Sequence, residues 1–169
     1  MPTPPPPKNP FTGDPKQHPD SSFAEGITGT CLCGSISVRI NADIFTTPAA
    51  YICHCANCRK VSGSYAAPNL RMDKDKVEIT DTRGTMKRFD DYATGSGNPV
   101  HRFFCGVCGS PIKSESERLA GKYILKMGIF PRIPKPVFES FAEHRHEWQG
   151  LHPDVVQYAT VIEGKKLGE

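Results

Sequence analysis

From Gly29 onward the chain alternates apolar and polar residues over short segments broken by turn-forming residues. Ile36, Val38 and Ile40 interleave with Ser35, Ser37 and Arg39, a period of two that sends one set to a buried face and the other outward. The same texture predicts strands over residues 49–54, 65–72, 77–80, 85–89, 100–104, 112–115, 122–127 and 137–141. Gly95-Ser96-Gly97-Asn98-Pro99 marks a loop between two of them. No segment sustains a long helical period. A short helix is expected after Cys58, and residues 154–162 fit a helix or a strand equally well. The expected fold is mainly β, with neither an internal repeat nor a second domain.

The start of the chain reads differently. Eight of its 16 prolines fall between Met1 and Pro19, among Thr, Asn, Gly and Asp. Residues 1–22 are therefore expected to form a disordered proline-rich tail, because so few apolar side chains cannot offset the entropy of ordering it. The run Pro4 to Pro7 favours an extended polyproline conformation, as a plain solvated tail or as a docking segment for a proline-reading partner. Residues 23–169 are left as a single folded domain.

Composition narrows the functional classes. In 169 residues, 37% hydrophobic and 23% charged, 21 Lys and Arg stand against 18 Asp and Glu, for a net charge of +3. A chain near this size buries roughly 70% of its unfolded surface, so metal is not needed merely to supply bulk. The positive charges form no basic block, which disfavours nucleic acid as a partner. Residues 49–53 are the longest apolar run, far short of the roughly 20 residues a membrane helix needs. The proline-rich start is unlike a secretory signal, and the first arginine is Arg39, so a cytoplasmic location is expected.

The seven cysteines change the picture most. They occur as Cys31 and Cys33 (C-x-C), Cys53, Cys55 and Cys58 (C-x-C-x-x-C), and Cys105 and Cys108 (C-x-x-C), with none outside a group. Such spacings let thiolates converge on one ion, and the glycines after Cys33 and Cys108 permit tight knuckle turns. Zinc is the expected metal, with iron its competitor. A structural zinc takes four protein ligands and a catalytic zinc commonly three, and the seven cysteines divide that way. Spacing alone also allows a ribbon of Cys55, Cys58, Cys105 and Cys108 that leaves Cys31, Cys33 and Cys53 over. The 46 residues between its arms exceed the usual ribbon length, which weakens that pairing.

Three ordered motifs carry a family resemblance: Gly29-Thr30-Cys31-Leu32-Cys33-Gly34, the run from Cys53-His54-Cys55 through Cys58-Arg59-Lys60 to Ser64, and Phe104-Cys105-Gly106-Val107-Cys108-Gly109-Ser110. With Arg145 and Trp148 as a late R-x-x-W element, the stretch resembles the glutathione-dependent formaldehyde-activating enzyme family, which also includes centromere protein V. The resemblance implies a tent-like fold of short antiparallel sheets organised around zinc-cysteine knuckles. It assigns Cys31, Cys33, Cys105 and Cys108 to a structural zinc and Cys53, Cys55 and Cys58 to a catalytic one, two zinc ions per chain. It implies a carbon-sulfur lyase of the S-hydroxymethylglutathione synthase type, with glutathione and formaldehyde as the model chemistry.

Around the open cluster, Arg59 offers a fork suited to a carboxylate, and Ser62, Gly63 and Ser64 offer hydroxyls and N–H groups to a substrate oxygen. Arg59 and Lys60 fit a solvated edge equally well, and the Ser-Gly-Ser run also reads as an ordinary turn. His54 is expected to point away from its cysteine neighbours and to support them from behind or lie at the surface. His144, Arg145 and His146 read as surface or packing residues, and Trp148 as a core or rim aromatic. The leading reading is a zinc enzyme for a small thiol adduct. The alternatives are a zinc-stabilised binding module for a protein or nucleic acid, and a sibling enzyme that uses the open zinc on another small molecule.

Overall fold

The computed structural model describes residues 14–47 and 49–168. Its strands are β1 (Ile27–Thr30), β2 (Ile36–Ile40), β3 (Ala50–Cys53), β4 (Ala67–Asp73), β5 (Val77–Asp81), β6 (Met86–Asp91), β7 (Val100–Cys105), β8 (Pro111–Ser116), β9 (Lys122–Lys126), β10 (Phe138–Ser140) and β11 (Val156–Gln157). One α-helix, α1 (Ala56–Ser62), follows β3, so among the described residues the fold is mainly β. β1, β2 and β5 form an antiparallel three-stranded sheet. The remaining strands form an eight-stranded sheet in the order β11-β10-β3-β4-β9-β8-β7-β6.

Period-two alternation explains the core. Ile36, Val38 and Ile40 are fully buried on one face of β2 and meet Leu70 and Met72 of β4, Ile112 of β8 and Leu125 of β9. Cys31 and Cys105 belong to the same core, with Cys33 and Cys108 packed against it. One face of the central strands of the large sheet is thus committed to the core shared with the small sheet. The residues between them, Tyr51, Cys53, Arg71, Ile124 and Lys126, face a cavity on the other side.

Each segment predicted as a strand contains one. The strand β1 was not foreseen from its sequence, where Gly29 between two threonines weakens the alternation. The helix starts at Ala56, before Cys58, because Cys55 acts as its cap and accepts a hydrogen bond from the Cys58 N–H. Residues 154–162 hold only the two-residue strand β11. The expectation of antiparallel pairing is corrected at one edge, where β10 runs parallel to both β3 and β11. A strand recruited from a remote part of the chain is not bound by hairpin geometry and can enter in either sense.

The Pro4 to Pro7 run lies outside the described residues. Residues 14–22 of the expected tail form two 3-10 turns, Pro15–Gln17 and Asp20–Phe23, with Phe23 buried in the core. Arg132 holds this segment through the Asp20 carboxylate and the Pro15 carbonyl.

Candidate functional site

The four sulfurs of Cys31, Cys33, Cys105 and Cys108 lie within 4.8 Å of one another. Cys33 Sγ is 3.6 Å from both Cys31 Sγ and Cys105 Sγ. Four sulfurs about 2.3 Å from one zinc would stand about 3.8 Å apart, so the set fits a closed tetrahedral site. Gly34 and Gly109, with φ of 73° and 74°, supply the left-handed turns that bring each pair together. The Ile36 N–H donates to Cys31 Sγ at 3.3 Å, and the Ser35 hydroxyl lies 3.1 Å from Cys33 Sγ. Burial pushes the Cys105 thiol up, but N–H groups of Cys108 and Val107 and the hydroxyls of Ser35 and Thr85 outweigh it and leave it at about 5. Cys31 and Cys33 precede β2, while Cys105 ends β7, so this cluster fastens the small sheet to the large one.

The sulfurs of Cys53, Cys55 and Cys58 form the second group within 4.8 Å. Cys53 ends β3, Cys55 caps α1 and Cys58 lies in its first turn, so a strand-to-helix turn gathers all three. This is the division into four and three; the ribbon of Cys55, Cys58, Cys105 and Cys108 is not formed. Hydrogen bonding among the three thiols, then burial, raises Cys53. Cys53 and Cys55 donate toward Cys58 and hold it well below the ordinary thiol range against its burial, aided by the positive charges of Lys126 and Arg102. The trio therefore favours carrying a thiolate, the form that binds metal.

All three cysteines line a cavity of about 500 Å³ on the large sheet. Strand register makes its floor a grid. Phe138, Tyr51, Asn69 and Lys126 form one cross-strand row, and Arg71 and Ile124 pair in the row beyond, away from Cys53. Lys126 is 5% exposed, and its Nζ donates to Asn69 Oδ1 at 2.8 Å. Burial lowers its pKa, opposed by the cysteine charges. Arg71 lies over the Phe138 ring, 5.1 Å from its centre. Arg102 is held by Asp91, whose Oδ2 accepts from Nε at 2.8 Å and Nη2 at 2.6 Å. That carboxylate also accepts from Asn57 at 2.9 Å, pinning α1 across the cavity to β6.

Behind the cysteine turn, His54 is buried, with Nε2 3.5 Å from Glu139 Oε1. Glu139 is completely buried and also pairs with Arg145 and His152. Burial would raise this carboxyl, but His54, His152 and Arg145 overcome that and hold it at about 2. The parallel register Glu139↔Ile52 brings the carboxylate to this turn. Arg145 of the R-x-x-W element is therefore a largely buried partner of Glu139, whereas Trp148 is 71% exposed and stacks on His146. His144 lines the cavity.

Arg59, Ser62, Gly63 and Ser64 do not line the cavity. Arg59 Nη1 meets His146 Nε2 at 2.6 Å. The Ser62 hydroxyl donates to the Arg59 and Ala66 carbonyls, and the Ser64 N–H donates to Arg59 O. Gly63 is the left-handed C-cap of α1 at φ 62°. Glu139, Lys126, Asn69, Arg71 and Arg102 were missed from sequence. Their only signal was a polar residue within a predicted strand.

Fold and site together define a mainly β protein with a closed four-sulfur cluster at the seam of its sheets and a separate three-sulfur cluster opening on a cavity. The model of the glutathione-dependent formaldehyde-activating enzyme family matches residues 26–148, and the chain belongs to that family. A crystal structure of a Rhodobacter sphaeroides protein, a structural genomics target, is similar over 61% of this chain and 86% of its own at 17% identity, with a TM-score of 0.48. No curated protein matches the chain. Among the described residues, no helix is long and apolar enough to cross a membrane.

Proposed function

We propose that the chain is a zinc-dependent enzyme of the carbon-sulfur lyase type, joining a small thiol to an aldehyde or releasing it, with glutathione and formaldehyde as the pair the family suggests. The observation that carries this reading is the placement of Cys53, Cys55 and Cys58 on the wall of the cavity, where a metal held by three sulfurs keeps a position for substrate. The residues of the four-sulfur cluster are absent from that wall and serve as a second, structural zinc site. Zinc in the open site would hold an incoming thiol as its thiolate. Arg71 makes the cavity attractive to a thiol bearing carboxylates, as glutathione does. Asp91 and Asn57 fix the helix that carries Cys58. Arg59, Ser62, Gly63 and Ser64 finish α1 and so set the aim of its cysteines, and a hydrogen bond from this turn to a substrate extending beyond the cavity is part of the proposal.

Zinc per chain and turnover of glutathione with formaldehyde test this directly. The unaltered protein should hold two zinc ions and Cys55→Ala one, with turnover reduced at least about 100-fold. A single zinc in the unaltered protein, or unimpaired turnover by the variant, contradicts the reading.

A further inference from the structure

A lysine is rarely buried without a carboxylate partner, and Lys126 is buried on the cavity wall with a neutral amide as its recorded hydrogen-bond partner. That amide is itself fixed. Asn69 Nδ2 donates to Ala67 O at 3.0 Å, which turns Oδ1 toward Lys126. Ala67 pairs with Cys53 and Asn69 pairs with Lys126. Two residues along a strand span roughly 6.7 Å, so Lys126 lies on the same sheet face as Cys53, one cross-strand row away and two strands across, from β3 over β4 to β9. An ammonium has three N–H donors, and one is spent on Asn69.

Given the thiol-adduct reading above, we propose that Lys126 is a catalytic residue, its ammonium donating a hydrogen bond to the oxygen on the carbon that bonds the substrate sulfur. In the joining direction sulfur attacks the carbonyl carbon, the C–S bond forms and the C=O π pair becomes a lone pair on oxygen. That oxygen ends with the proton the thiol gave up, and nothing is oxidised or reduced. Negative charge grows on oxygen during the attack and returns to sulfur in the reverse, so a fixed donor there favours the transition state more than either ground state. Asn69 is the positioning residue, holding Nζ at the cavity wall without neutralising it.

The test uses the zinc-loaded full chain with Lys126→Met and Lys126→Gln. Both variants should keep two zinc ions and bind glutathione within about threefold of the unaltered protein, while kcat with glutathione and formaldehyde falls about 100-fold. Binding provides a second readout. The unaltered protein should prefer S-formylglutathione, which carries oxygen on the reacting carbon, over S-methylglutathione, and Lys126→Met should erode that preference about tenfold. Unchanged kcat in a variant that keeps its zinc overturns the role, as does loss of zinc or glutathione binding in both variants, which would make Lys126 structural. Absence of turnover and thiol binding in the unaltered protein brings down the thiol-adduct reading, and this role with it.

Discussion

Glu139 shows how much of the site depends on single residues remote in sequence from the cysteines. Its buried carboxylate faces His54 from the cysteine turn and Arg145 and His152 from the later chain. Its pKa is held at about 2, below the ordinary glutamate value of 4.5. Between those values the unfolded chain binds the extra proton, so the carboxylate's contribution to stability is full above about 4.5 and is lost as pH falls toward about 2. Glu139→Gln should therefore be less stable than the unaltered protein at neutral pH, and urea titrations should show the gap closing over that acid window. A gap independent of pH would mean that the charge of Glu139 does not hold the turn. The cysteines were legible because their ligand spacing is rare in any other role. Glu139 and Lys126 were not, since a polar residue in a short strand carries no ligand spacing, and only the pairing of β10 with β3 and of β4 with β9 brings them to the site.

Helix α1 spans seven residues, too few to be stable alone, and it is held by its ends. Cys55 caps its start, Asn57 reaches Asp91, and Gly63 ends it in a left-handed conformation with open space where a Cβ would stand. Gly63→Ala should accordingly cost about 1 kcal/mol of stability through backbone strain alone and leave glutathione affinity unchanged. Denaturant unfolding and calorimetric binding check the two halves, and a large loss of affinity would mean that a Cβ at Gly63 meets the substrate. The strands were legible because alternation such as Ile36, Val38 and Ile40 survives folding intact. The parallel entry of β10 and the docking of residues 14–22 were hidden, because both depend on partners distant in sequence, Ile52 for one and Arg132 for the other.

Across the whole molecule the two clusters divide the work. Four sulfurs close the seam between the sheets, where the binding energy of a metal would be folding energy, and three open on the cavity formed by the other face of the large sheet. The family resemblance carried by three motifs in order extends over residues 26–148. The proposed chemistry at the open cluster requires that an outside thiol reach a metal held there. Cobalt-substituted protein titrated with glutathione tests this most directly, since a sulfur joining the metal changes its absorption bands. The account predicts a saturable change from one of two cobalt ions that disappears in Cys55→Ala. A spectrum unmoved at saturating glutathione, or an identical change in the variant, would contradict it.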